Sequence, residues 1–150
     1  MEVSVPVRVY YEDTDATGVV YHAAYVRYFE RARTEWLRAT GCSHRMLSER
    51  YGIAFTVASL ALRFLRPARL DEQLSVIAEV AHSGGASLVF EERIERVGEM
   101  RPLATARVRV ACVDTRNFRP CRLPQLMRCR AGQSIPVVGT TVADEERSEA

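Results

Sequence analysis

From Tyr21 to Trp36 the apolar residues Tyr21, Ala24, Tyr25, Tyr28, Phe29, Ala32 and Trp36 recur at spacings of three and four, while Arg27, Glu30, Arg31, Arg33 and Arg38 take the other side. That period predicts one long helix with a single broad apolar face. Gly41 is placed to end it in the left-handed conformation, and Ser43 to cap a shorter helical stretch running to about Tyr51. After Gly52 the period changes to two. Strands are predicted over Ile53–Phe64, Gln73–His82, Ser87–Val97 and Leu103–Asp114, separated by Arg66-Pro67 with Asp71, by Gly84-Gly85, and by Gly98 with Pro102. In the last of them Val108, Val110 and Cys112 alternate with Arg107 and Arg109, so one face meets a core and the other solvent or a partner. Val7–Tyr11, β-branched and aromatic and preceded by Pro6, predicts a first strand ahead of the helix.

A strand, a long helix and then four strands with short connections predict an antiparallel sheet packed on one helix, an α+β fold. The length of 150 residues, 47% of them hydrophobic and 27% charged, suits one globular domain. We place that domain at residues 1–132 and a C-terminal tail at 133–150, with Leu123–Cys129 forming a turn or two of helix between them. No run approaches the roughly 20 apolar residues of a membrane span, and no basic start with an apolar stretch opens the chain, so a cytoplasmic protein without a transmembrane segment is expected. Cys42, Cys112, Cys121 and Cys129 form no CxxC pair, as expected of reduced thiols rather than a disulfide framework or a zinc site.

The net charge of +2 makes no case for a nucleic-acid partner, yet it is unevenly spread. Residues 144–150 hold four acids and one Arg, whereas the stretch from Arg116 to Arg130 holds five arginines and no acid. Such a stretch is either a solvated surface or an attractor for phosphate. The chain has no Lys at all, so the choice of Arg there carries no information about phosphate geometry.

GxSxG, P-loop, GxGxxG and HExxH patterns are all absent. What remains is a dense polar cluster between the first strand and the long helix: Glu12, Asp13, Thr14, Asp15, Thr17, Gly18 and His22. Unpaired N–H groups at a helix start can hold an oxyanion, and a carboxylate just upstream can act as nucleophile or general base. The residue types alone leave two readings open, because Asp and Thr ahead of a helix are also ordinary N-caps and Gly an ordinary turn residue. A metal site of Asp13, Asp15 and His22 matches no usual ligand spacing, so neither a metal nor an organic cofactor is expected.

The run from Val7 to Tyr25, VRVYYEDTDATGVVYHAAY, closely resembles the active-site segment of the 4-hydroxybenzoyl-CoA thioesterase family, and within it the YbgC-type, Tol-Pal-associated acyl-CoA thioesterases. The similarity continues through Phe29–Glu35, Pro67–Asp71 and Ser87–Phe90, and covers the chain from Val5 to about Gln125. It implies a hotdog fold, a bent antiparallel sheet wrapped around the long helix, assembled as a homodimer or homotetramer. It implies hydrolysis of acyl-CoA with Asp15 as the reacting carboxylate and Asp13 in support. Backbone N–H groups around Tyr21 and His22 would hold the oxyanion, Gly18 and Asp13 would belong with Tyr21 to the oxyanion and substrate-binding site, and the His22 side chain would orient substrate or water.

Two departures stand out. Thr17 occupies a position where the family usually has Gly or Ala, which narrows the pocket floor or adds a hydroxyl. The turn from His82 to Ala86 lacks the basic residues some relatives use for coenzyme A phosphates, which turns attention to Arg116, Arg119 and Arg122. A second reading is an acyl-carrier-protein or envelope-system binding protein whose thioesterase activity is secondary, with the arginine-rich stretch near the C-terminus meeting an acidic carrier. A hotdog dehydratase acting on hydroxyacyl thioesters is a third reading, disfavoured because that branch carries its Asp and His elsewhere relative to the helix.

Overall fold

In a computed structural model, residues 1–125 and 127 are described; Leu126, Arg128 and Cys129 of the expected Leu123–Cys129 helical turn and the 133–150 tail lie outside them. The chain forms β1 (Glu2–Arg8), a 3-10 turn (Tyr11–Asp13), α1 (His22–Ala39), α2 (His44–Met46) continued by a π-helical turn (Leu47–Tyr51), then β2 (Ile53–Phe64), β3 (Gln73–Ser83), β4 (Ser87–Arg96) and β5 (Pro102–Asp114). All pairings are antiparallel, in the order β1-β3-β4-β5-β2. Gly41 does adopt a positive φ of 91° just beyond α1, and the Ser43 hydroxyl accepts from Met46 N–H at 3.0 Å, capping α2 as expected.

The first strand differs from the sequence expectation. It runs from Glu2 to Arg8, with Pro6 inside it opposite Ser75. Because β1 is a sheet edge, a residue that lacks an N–H is tolerated there, and Pro6 marks no boundary. The chain leaves the sheet after Arg8, so Tyr10 and Tyr11 are exposed rather than paired.

The helix packs mainly on β1 and β3 and touches β4. Its stripe of Tyr25, Tyr28, Phe29, Ala32, Trp36 and Leu37 is buried against Val7, Leu74, Val76, Phe90, Ile94 and Val108, and the Trp36 and Phe90 rings meet edge to face at 5.2 Å. Register shifts at Val57/Ser59 in β2 and Val80/His82 in β3 mark bulges, which sharpen the twist that carries a sheet around a helix. This is the hotdog arrangement.

Arg33 corrects a second expectation. It lies four residues after Phe29, which puts it on the apolar stripe rather than the charged face. There it donates to Glu92 of β4 at 2.8 Å, and both side chains are withdrawn from water. Glu92 shares its sheet face with Leu88, Phe90 and Ile94, so the strand alternation already aims it inward. Burial pushes its carboxyl from 4.5 up to about 7, against the pull of Arg33. Between those values the folded chain keeps a proton that the unfolded chain has lost, so the contribution of this group to stability falls as pH rises through that window and is level above it. Glu92→Ala, which strands the buried guanidinium, is expected to lower the unfolding free energy by about 3–5 kcal/mol. Glu92→Gln, which keeps an acceptor, should lose less and should flatten the pH dependence; denaturant titrations from pH 4 to 8 measure both.

Candidate active site

The polar cluster folds into a small hairpin between the 3-10 turn and α1. Thr14 bridges Val20, the Asp15 N–H donates to Val19 at 3.0 Å, and the Gly18 N–H donates back to the Asp15 carbonyl at 3.0 Å. Gly18 closes this turn at φ 79°, a left-handed conformation that a side chain would strain. The hairpin is tied to the body through Val20 N–H to Ala68 at 2.8 Å and a bridge between Val19 and Arg69.

The two acids of the cluster have opposite surroundings. Asp13 is only 4% exposed, and both its oxygens are engaged: Oδ2 accepts from the Tyr10 N–H at 2.9 Å, and Oδ1 from Arg27 at 2.9 Å. Tyr28, buried beside it, has its hydroxyl pKa raised, first by burial and then by the Asp13 carboxylate. Asp15 is exposed, and a single oxygen, Oδ1, accepts from Thr17, from its N–H at 2.8 Å and its hydroxyl at 2.5 Å. These bonds to the ionised form, the hydroxyl's first, hold the Asp15 carboxyl below its usual pKa. Oδ2 is left open.

Neither acid caps α1. The N-cap is Tyr21, with no side-chain hydrogen bond, so the capping alternative for Asp15 is removed. The Tyr21 N–H, expected among the oxyanion donors, is taken by the Asp13 carbonyl at 3.1 Å. The N–H groups of His22 and Ala23 are the ones that open the helix without an intrahelical acceptor. The His22 side chain is exposed and lines a cleft of about 300 Å³ with Val20, Tyr25, Phe64, Leu65, Arg66 and Pro67. The cleft wall is braced by Tyr25, whose hydroxyl accepts from the Ala68 N–H at 3.0 Å and whose ring meets Phe64 edge to face at 5.3 Å.

Arg116, Arg119 and Arg122 are exposed on the turn after β5, where Asp114 pairs with Ile53 at the start of β2. The cleft lies at Phe64, the far end of the same twelve-residue strand. The segment after β5 folds back so that the Cys121 N–H donates to Cys112, opposite Phe55, and at about 3.3 Å per residue the arginines are roughly 30 Å along the strand from the cleft. Asp15 does not line that cleft but stands on the turn bridged to Arg69, two residues past the cleft's Pro67. Among the described residues no three His, Cys, Asp or Glu side chains are arranged to hold a metal ion, and no helix is long and apolar enough to cross a membrane.

A curved antiparallel sheet around one helix, with a carboxylate turn at the helix start, defines a class, and sequence comparison agrees with it. Residues 9–130 match the model of the thioesterase-like superfamily, and the chain belongs to that family. Among its relatives are the acyl-CoA thioesterase YbgC of Haemophilus influenzae, 48% identical over 122 residues that make up 81% of this chain and 88% of that one, and the acyl-CoA thioester hydrolase YbgC of Escherichia coli, 48% identical over 80% and 88%. A crystal structure of a probable thioesterase from Bartonella henselae superposes with a TM-score of 0.78 at 35% identity, covering 83% of this chain and all of that one.

The contrast between the acids is testable. Asp13→Ala leaves the part-buried Tyr10 N–H and the half-exposed Arg27 guanidinium without their acceptor and is expected to lower stability by about 1 kcal/mol, whereas Asp15→Ala should melt close to the parent; thermal unfolding followed by circular dichroism compares them.

Proposed function

We propose that the chain is an acyl-CoA thioesterase that hydrolyses the thioester to a free acid and coenzyme A, with Asp15 as its reacting carboxylate. The observation that carries this reading is the open Oδ2 of Asp15 on a pinned turn, directly ahead of a helix whose first N–H groups have no cap. Asp15 Oδ2 either attacks the thioester carbonyl carbon or takes a proton from the water that does. In both cases negative charge gathers on the carbonyl oxygen, and the N–H groups of His22 and Ala23, at the positive end of the helix dipole, are suited to receive it. Collapse of that intermediate expels the coenzyme A sulfur as a thiolate, which takes up the proton released by water; on the direct-attack route the acyl group is left on Asp15 as a mixed anhydride, which water then hydrolyses to the free acid and the regenerated carboxylate. The kinship with the YbgC thioesterases at 48% identity supports the substrate class.

A second copy completes the site in this reading. β2 pairs on one side only, with β5, and Val57, Leu60 and Phe64 are exposed along it. So long an open apolar edge is a template for another strand. Antiparallel pairing of β2 with β2 of a second copy would set the start of one strand beside the end of the other, and with it the arginine turn of one copy beside the Asp15 turn of its partner. Arg116, Arg119 and Arg122 then meet coenzyme A phosphates across the dimer.

Asp15→Asn is expected to cut turnover of a simple aliphatic acyl-CoA by roughly a thousandfold or more while the protein stays folded, the scale met when a reacting group is removed from an otherwise intact site. Parent-like hydrolysis by that variant refutes the assignment. The double change Arg119→Ala with Arg122→Ala should raise KM for acyl-CoA and leave kcat near the parent value; an unaltered KM removes the phosphate role.

A further inference from the structure

Thr17 takes no part in the reaction as drawn, yet it makes the closest contact to Asp15. Two donors of this one residue converge on the same carboxylate oxygen, the N–H at 2.8 Å and the hydroxyl at 2.5 Å. The first is available to any non-proline residue there, because an Asp at the head of a turn commonly accepts from the backbone two residues on. The hydroxyl contact needs Ser or Thr. Thr is the stiffer of the two, since its branched Cβ restricts the rotamer that aims the hydroxyl.

Asp15 is exposed, and an exposed carboxylate with one weak tether samples several rotamers. Two donors on Oδ1 restrict that sampling and leave Oδ2 as the oxygen with open lone pairs. Reaction needs the attacking atom held within about 3–3.5 Å of its target in the right line, so an oxygen selected in advance is an advantage. We propose that Thr17 is a positioning residue: its hydroxyl locks Oδ1 of Asp15 so that Oδ2 is the oxygen presented to the thioester. The proposal rests on the reading of Asp15 as the reacting carboxylate.

The contact has a second effect, on pH. The Thr17 hydroxyl leads the causes that hold the Asp15 pKa down, the Thr17 and Val19 backbone bonds act in the same direction, and the little burial there acts against them. Charged neighbours do not figure among these causes, although Asp13, His22 and Arg69 flank the turn. Thr17 therefore keeps Asp15 ionised to lower pH. It also makes the carboxylate a weaker base, but that loss reaches the rate only fractionally, whereas misplacement of a reacting group costs up to about a hundredfold. Positioning should dominate at neutral pH, where Asp15 is ionised in either case, and ionisation at acid pH.

The test uses the full chain with Thr17→Val, Thr17→Ala, Thr17→Ser and Asp15→Asn, read by the pH profile of kcat/KM on one short aliphatic acyl-CoA and by carbon-detected NMR titration of the Asp15 carboxyl. Thr17→Val and Thr17→Ala should lower kcat by roughly tenfold with KM little changed, move the acid limb of the profile to higher pH, and move the carboxyl titration the same way. Thr17→Ser should restore all three. If Thr17→Val keeps the parent's profile and titration while Asp15→Asn is inactive, Thr17 has no such role and the Asp15 reading stands. If Asp15→Asn is as active as the parent, both fall together.

Discussion

Burial of one stripe of α1 against β1, β3 and β4 is the constraint on which the rest of the structure depends. Tyr28, Phe29, Ala32 and Trp36 are withdrawn from water on the sheet, and each such side chain contributes in the range of 1.5–3 kcal/mol when large. With the helix axis held in this way, its first turn can stand at the sheet margin without a side-chain cap. The hairpin before it is stitched to both neighbours, through Tyr21 N–H to Asp13 and Val20 N–H to Ala68. The turn that carries Asp15 and the uncapped start of α1 are thus held by the same packing and by the same backbone bonds.

Two aspartates two residues apart have opposite surroundings. Asp13 points into the protein, where Arg27 and the Tyr10 N–H complete its hydrogen bonds. Asp15 points out, and among the described residues Thr17 is the side chain that bonds it. The same division recurs between arginines: Arg33 serves the core through Glu92, while Arg116, Arg119 and Arg122 remain at the surface. An acid or base in this chain acquires its role from the surroundings the fold supplies.

Much of this was legible in the residues. The four later strands and the long helix follow from a period of two or 3.6 broken by Gly and Pro, and their observed bounds differ by a residue at most for the strands. The first strand was not, because Pro6 reads as a boundary unless the edge position of β1 is known, and edge position is a property of the whole sheet. Arg33 was misread because its charge outweighed its spacing from Phe29. Asp15 was found as a candidate, but whether it capped α1 depended on a helix start at Tyr21 that local propensity does not specify. In the sequence Thr17 stands out as narrowing a pocket floor or adding a hydroxyl to it; its contact with Asp15 is legible only in the Asp-x-Thr spacing of an Asp-headed turn. The distance of the arginine turn from Asp15 depends on strand pairing and lies beyond any local pattern.

The most direct test of the account is a crystal structure with an acyl-CoA analogue whose thioester sulfur is replaced by methylene. The account predicts the analogue's carbonyl oxygen within about 2.7–3.1 Å of the His22 or Ala23 N–H, with its carbonyl carbon facing Asp15 Oδ2 directly or across one water. A carbonyl bound away from the start of α1, with Asp15 turned to solvent, would contradict it.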